Sequence, residues 1–348
     1  MTAMRIIDFR SDTVTHPTPE MYKAMLEAEL GDDEYGDDPT VNRLESLAAE
    51  KLGKESALFT VSGTMSNLVA ILTHCKRGDE LIVGDKSHIF LEEGGGASGL
   101  GGVHIQTLPN DERGALDPEE VERAIRPDDP HDPPTGLIAV ENTHTYCGGS
   151  VLTQDEIGAV ASVAHGHRLP LHVDGARIFN AAVYLETPVS ELVKDADSVS
   201  FCLSKGLSCP IGSMLCGSAE FIRRARYWRE TVGGGLRQVG VIAAAGIVAL
   251  ESMIERMADD HANARRLARG LSQIPGIDID PDKYPTNQVY FKVVSGLPVE
   301  MAAKLEGLGI KGGTEERTWR FVTHHGIGPE DIDHALDVVD SVFRECAP

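Results

Sequence analysis

Basic charge is what this chain has least of. Lys and Arg number 32 against 54 Asp and Glu, a net charge of −22 over 348 residues. That balance disfavours nucleic acid and anionic membrane as partners, because both require a basic surface. An anionic ligand must then be held by local positive groups against an unfavourable overall field. Metal-ligand spacing is missing as well. The six cysteines are scattered, with no Cys-x-x-Cys pair and no Cys/His pattern of a structural zinc site. Reduced thiols are the expected state. The longest nearly apolar run, Val239 to Leu250, has 12 residues including two glycines, too short for a bilayer and suited to a buried helix. Met1 to Asp8 lacks the apolar centre of a secretory signal. A soluble, cytoplasmic protein is expected. No repeat is evident, and low complexity is confined to brief runs such as Gly94-Gly95-Gly96 and Gly233-Gly234-Gly235.

What is present is an alternation. From residue 55 to about 217, short β-type runs interleave with helix-like segments: Ala57–Val61, Glu80–Val83, His104–Leu108, Leu137–Val140, Leu171–Val173, Ser198–Phe201 and Met214–Cys216. Asp117-Pro118 places a cap and a proline at one helix start, and Thr153-Gln154-Asp155-Glu156 is a capping box at another. Such alternation predicts an α/β unit around a largely parallel sheet. Gln238 to about Leu271 contains no proline and reads as one long helix or two in sequence. After Ile274-Pro275-Gly276 the rhythm becomes strand, helix, strand, helix. The expected division is a large domain over residues 1–250, N-terminal segment included, and a small α+β domain over 251–348.

Two ionisable residues stand at the ends of candidate strands. Asp174 lies in Leu171-His172-Val173-Asp174-Gly175, and Lys205 follows 31 positions later in Ser200-Phe201-Cys202-Leu203-Ser204-Lys205-Gly206. A lysine and an aspartate so placed are what pyridoxal phosphate (PLP) chemistry needs. The amine forms a Schiff base with the cofactor aldehyde, and the carboxylate keeps the pyridine nitrogen protonated. A surface lysine and a capping aspartate are the alternative. Gly63-Thr64 opens a helix directly after a strand, and a helix amino terminus binds phosphate through unpaired N–H groups and its dipole. No Gly-Lys-Ser/Thr follows, so this is not a Walker loop. Arg237 after three glycines suggests a guanidinium on a loop that closely approaches a ligand or another chain. His88, after a strand-end Gly-Asp turn, and His144, after the strand ending at Val140, both fall at a sheet edge, and either is a candidate base. Arg320 sits in Trp319-Arg320-Phe321-Val322, where a buried arginine needs an anion: a substrate carboxylate or a structural acid. Asp32, Asp33, Glu34, Asp37 and Asp38 do not fit a calcium loop and read as a solvated acidic loop, so no metal is expected.

Eight blocks in order resemble the L-threonine aldolases of low-specificity type. They are Arg10-Ser11-Asp12-Thr13-Val14-Thr15, Gly31 to Thr40, Ser62-Gly63-Thr64-Met65-Ser66-Asn67, Glu141-Asn142-Thr143-His144, Val173-Asp174-Gly175-Ala176-Arg177, Leu203-Ser204-Lys205-Gly206, Gly233 to Gln238 and Arg320-Phe321-Val322-Thr323-His324. The resemblance implies fold type I of the PLP enzymes and retro-aldol cleavage of an L-β-hydroxy-α-amino acid to glycine and an aldehyde. It implies that Gly63, Thr64 and Ser204 hold the phosphate and that Arg237 reaches it from a neighbouring subunit of a homodimer or homotetramer. It also implies that His88 stacks on the cofactor ring, that Arg177 lies at the cofactor, that Ser11, Arg177 and Arg320 bind the substrate carboxylate, and that Tyr35 lines the site. The stretch Thr145-Tyr146-Cys147-Gly148-Gly149 is longer than the usual bacterial turn and is expected to border the substrate's β-substituent. A β-eliminating lyase or racemase on the same scaffold is the runner-up, and a non-catalytic homologue acting as a binding protein is the reading from another class.

Overall fold

The computed structural model describes residues 5–346, so residues 1–4 of the Met1–Asp8 stretch lie outside it. The chain divides into two compact units. One is Pro17–Ile254. The other joins the described residues up to His16 to those from Glu255 onward.

Twelve strands are described: β1 (Ile7–Asp8), β2 (Ser56–Thr60), β3 (Glu80–Gly84), β4 (His104–Leu108), β5 (Thr135–Glu141), β6 (Leu171–Asp174), β7 (Ser198–Cys202), β8 (Ser213–Gly217), β9 (Ile277–Asp278), β10 (Gln288–Val293), β11 (Ile310–Lys311) and β12 (Thr318–Val322). The Pro17–Ile254 unit is built on a seven-stranded sheet in the order β2-β8-β7-β6-β5-β3-β4. β4, β3, β5, β6 and β7 run parallel, while β8 is antiparallel to both β7 and β2. The five parallel strands end along one edge, where an open α/β sheet places its ligand crevice.

Helices cover the sheet for reasons visible in the sequence. Pro39–Leu52 starts on Asp38, whose carboxylate accepts from Thr40 and Val41 N–H, and stops at Gly53 in the left-handed conformation. The Thr153–Glu156 capping box opens Gln154–Gly166 as expected. Gly240–Ser252, apolar on all sides, packs against both Pro19–Leu26 and Pro39–Leu52. Its sequel Met257–Leu271 is a separate helix, so the proline-free stretch is two helices. Phe59, Phe201, Leu58 and Ile71 are among the fully buried side chains, each contributing about 1.5–3 kcal/mol by burial.

The other unit has a three-stranded antiparallel sheet, β12-β10-β9, and the parallel pair β1-β11. Phe9, Phe291, Trp319, Phe321 and Phe343 form its aromatic core with the helices Met257–Leu271 and Pro329–Cys346. The expected placement of the N-terminal segment in the large domain is therefore corrected. Ile7 pairs with Ile310, and Phe9 stacks on Phe321 at 4.9 Å. No described helix is long and apolar enough to cross a membrane.

Candidate active site

Four strand ends of the larger unit converge on one cluster. β6 delivers Asp174 at its last position, 2 % exposed. Its Oδ2 accepts from Asn67 Nδ2 at 2.9 Å and its Oδ1 from the Ala176 N–H at 3.2 Å. β7 leads into the turn carrying Ser204 and Lys205, both half-buried. That turn is closed by Leu203 N–H to Gly212 O at 3.0 Å and Ser208 N–H to Lys205 O at 2.8 Å. β3 leads through Gly84 to His88, whose backbone N–H donates to Glu141 Oε2 at 2.7 Å. β5 ends on that Glu141, whose other oxygen takes the Thr145 N–H at 2.9 Å. Thr145 in turn accepts from Arg177 Nη1 at 3.1 Å, and Arg177 is buried.

Between β2 and the helix Gly63–His74, Ser62 caps the first turn by accepting from Met65 N–H at 3.2 Å. The N–H groups before it have no partner within the helix. A Cβ on Gly63 would lie 2.9 Å from Cys202 Sγ at the end of β7, so only glycine lets the helix start this close to the sheet. Thr64 is exposed beside it. The larger unit thus offers one positive helix terminus, one lysine and one buried carboxylate in neighbouring strand-end turns, the donor set that PLP requires.

His88 and His144, alike in sequence, differ in structure. His88 keeps 32 % of its side chain exposed, and its Nδ1 lies 2.9 Å from Glu93 Oε1. That hydrogen bond raises the ring above the usual imidazole range, with Asp174 adding to the effect and burial and the Lys205 charge opposing it. His144 is wholly buried, its ring nitrogens have no hydrogen-bond partner among the described residues, and its ring lies against Gly114. Of the two, His88 is the one open to solvent.

Sequence reading missed the groups behind this surface. Asn67 donates to Asp174 and, at 2.7 Å, to Glu93. Its Oδ1 accepts from Ser200 Oγ at 2.7 Å and faces His172 Nε2 at 3.1 Å. Ligand atoms of His88, Glu93 and Asp174 lie within 4.8 Å of one another. The Asn67 amide already directs hydrogens at both carboxylates, so the trio is assigned as a hydrogen-bonded network rather than a metal site. The one hint in sequence was Asn67 one helical turn beyond Gly63.

The remaining expected residues are elsewhere. Tyr35 is 82 % exposed, and Arg237 is also exposed, 3.6 Å from Asp32. The acidic loop is not simply solvated: Asp33 is buried against Arg229 at 2.7 Å, and Asp38 is a buried cap that also accepts from Gly240 N–H at 3.0 Å. Ser11 and Arg320 belong to the other unit. Ser11 caps the turn Asp12–Val14 by accepting from Thr13 N–H. Arg320, expected buried, is half-buried, because it points to the face of β12 opposite Trp319 and Phe321. Its Nη2 donates to Arg10 O at 3.1 Å, and no carboxylate pairs with it among the described residues. The longer turn after His144 forms a short 3-10 turn, Thr145–Cys147, from which the Tyr146 hydroxyl donates to Glu92.

Residues 8–294 match the family described as β-eliminating lyase. Low-specificity L-threonine aldolase 1 of Arabidopsis thaliana is 46 % identical over 343 residues, covering 96 % of this chain and 95 % of that protein. The chain belongs to the β-eliminating lyase and threonine aldolase family. The low specificity L-threonine aldolase of Escherichia coli K12 is likewise 46 % identical, over 288 residues, covering 83 % of this chain and 85 % of its own. Among solved structures, threonine aldolase from Leishmania major superposes with a TM-score of 0.82 at 20 % identity, covering 97 % of this chain and 99 % of its own. Sphingomonas wittichii serine palmitoyltransferase superposes with a TM-score of 0.78 at 16 % identity, covering 99 % of this chain and 88 % of its own. The family member described here therefore has the fold type I architecture.

Proposed function

We propose that this chain is a PLP-dependent aldehyde-lyase that cleaves L-threonine, L-allo-threonine and related L-β-hydroxy-α-amino acids to glycine and an aldehyde. One observation carries the reading. In a chain 46 % identical to threonine aldolases over nearly its full length, a buried aspartate ends one parallel strand and a half-buried lysine follows the next, beside a solvent-accessible histidine.

Bound PLP supplies an aldehyde that captures an amine and a pyridinium ring that accepts an electron pair. Lys205 would hold its aldehyde carbon, Asp174 its ring nitrogen, and Gly63, Thr64 and Ser204 its phosphate, with Arg237 added from a neighbouring subunit. Asp174, fixed from behind by Asn67 and Ala176, needs no reorganisation to do so. Arg177, Arg320 and Ser11 bind the substrate carboxylate. That grip selects which bond at Cα is broken, since orientation decides the reaction type. His88 takes the β-hydroxyl proton. Tyr35, exposed on its own chain, lines the site of a homodimer or homotetramer. The unit Pro17–Ile254 supplies the cofactor site and the other unit a substrate arginine, in a cytoplasmic enzyme.

The test is the product. The holoenzyme with L-threonine and L-allo-threonine should release glycine and acetaldehyde in equal amounts without ammonia. Borohydride should fix the cofactor to the peptide containing Lys205. Ammonia with a keto acid, or an adduct on another lysine, sinks the reading.

A further inference from the structure

Glu93 sits behind the site, with only 5 % of its side chain exposed, and has no place in the chemistry above. Its Oε1 faces two N–H groups, His88 Nδ1 at 2.9 Å and Asn67 Nδ2 at 2.7 Å. The orientation of the Asn67 amide is fixed by its other contacts. Its oxygen accepts from the Ser200 hydroxyl, and its nitrogen gives a second hydrogen to Asp174. Glu93 Oε1 is therefore an acceptor toward Asn67, and an ionised carboxylate is an acceptor toward His88 as well. That places the His88 proton on Nδ1 and leaves the lone pair on Nε2.

The charged groups around His88 are few. Asp174 and Lys205 act on the ring with opposite signs, and Glu141 holds only its backbone N–H. Glu93 is the charged group that contacts the ring itself. A carboxylate bonded to one imidazole nitrogen sets the tautomer and stabilises the cation formed when the other nitrogen takes a proton.

We propose that Glu93 is the positioning residue of the His88 base, holding it as the Nδ1–H tautomer and stabilising the charge that the ring gains. The proposal rests on His88 being the base. In the step, the substrate O–H bond breaks and an Nε2–H bond forms. The former O–H electron pair becomes the aldehyde π bond as Cα–Cβ breaks, and the Cα–Cβ pair stays with the glycine carbon, which is later protonated. Burial raises the Glu93 carboxyl above its usual range, while its hydrogen bonds from His88 and Asn67 oppose that shift. As the ionised acceptor Glu93 takes up no proton in the step, so proton and charge balance without a further reactant.

The experiment uses holoenzyme labelled with 15N-histidine, with His88 resonances identified by their loss in His88→Asn. Wild type should show a protonated Nδ1 and a bare Nε2. In Glu93→Gln the His88 titration should move toward acid and the tautomers should mix. With L-threonine, kcat/KM should drop roughly tenfold or more. The acidic limb of its pH profile should move the same way, because a base with a lower pKa stays neutral to lower pH. Glu93→Asp should restore part of both. If His88 titrates identically in wild type and Glu93→Gln, the proposal is overturned, even where activity has dropped. If His88→Asn cleaves L-threonine at the wild-type rate, the base assignment is overturned and the catalytic half of the proposal with it. The tautomer measurement still reports on Glu93 separately, so the two failures are distinguishable.

Discussion

Arg229 and Asp33 are both almost completely buried and meet at 2.7 Å, with Arg229 also donating to Phe59 O at 3.0 Å. Removing one partner of such a pair strands the other charge in a poorly solvating interior. Arg229→Ala should cost about 3–5 kcal/mol of stability, measured by urea unfolding of the holoenzyme. A loss below about 1 kcal/mol would mean water reaches Asp33. Arg320 is the opposite case, a half-buried guanidinium with no acidic partner among the described residues. If it grips the substrate carboxylate, Arg320→Ala should lose about 2–5 kcal/mol of transition-state binding. The cofactor colour should remain, because the group lies in the other unit from Lys205 and Asp174. A kcat/KM near that of wild type would leave the arginine a structural role only.

At the level of elements, the helix Gly63–His74 joins the proposed cofactor end of the sheet to a histidine pair, half-buried His74 and fully buried His172. His74 Nε2 and His172 Nδ1 both contact the Ser198 hydroxyl, at 2.8 and 2.9 Å. Burial is the main reason His74 is held at about 3 and His172 at about 4. Both lie below the unfolded value of about 6.5, so the unfolded chain binds protons that the folded one refuses. Stability from this source is complete above pH 6.5 and is lost as pH falls toward 4, at about 1.4 kcal/mol per pH unit for each histidine. Unfolding free energies of wild type and His74→Gln between pH 7 and 4.5 should diverge in slope by one such increment. The difference cancels the acidic groups common to both, and parallel curves would show that His74 is solvated. The seven strands of the large sheet were legible because each is a short apolar run bounded by turn residues, a local signal. Lys205 and Asp174 were legible because they follow those runs. Asn67 and Glu93 were not, since their roles come from contacts 107 and 26 residues apart that leave no pattern in sequence. The burial of Asp33 was hidden for the same reason: its partner, Arg229, is on a distant helix.

At the level of the whole molecule, Arg237 and Tyr35 are both exposed, in a chain whose proposed phosphate site draws a guanidinium from a neighbour. Two inactive variants test the sharing. Lys205→Ala and Arg237→Ala, unfolded together and refolded as a mixture, give mixed dimers in which one site carries both lesions and the other neither. Random pairing makes half the dimers mixed, so about a quarter of wild-type activity should return. A mixture no more active than its parents, with mixed dimers shown to have formed, would place Arg237 in its own subunit's site.

The pairing of β1 with β11 also has a consequence in time. Ile7 and Phe9 leave the ribosome about 300 residues before their partners Ile310 and Phe321. The sheet of Pro17–Ile254 draws every strand from within that span and can close during synthesis. The leading segment has no such option. At about 5–20 residues per second, it must wait roughly 15–60 s while 300 residues are made. Throughout that interval Ile7 and Phe9 lack the partners that bury them in the folded protein. A substitution at Ile7 or Phe9 would therefore do its damage only once β11 and β12 have been made.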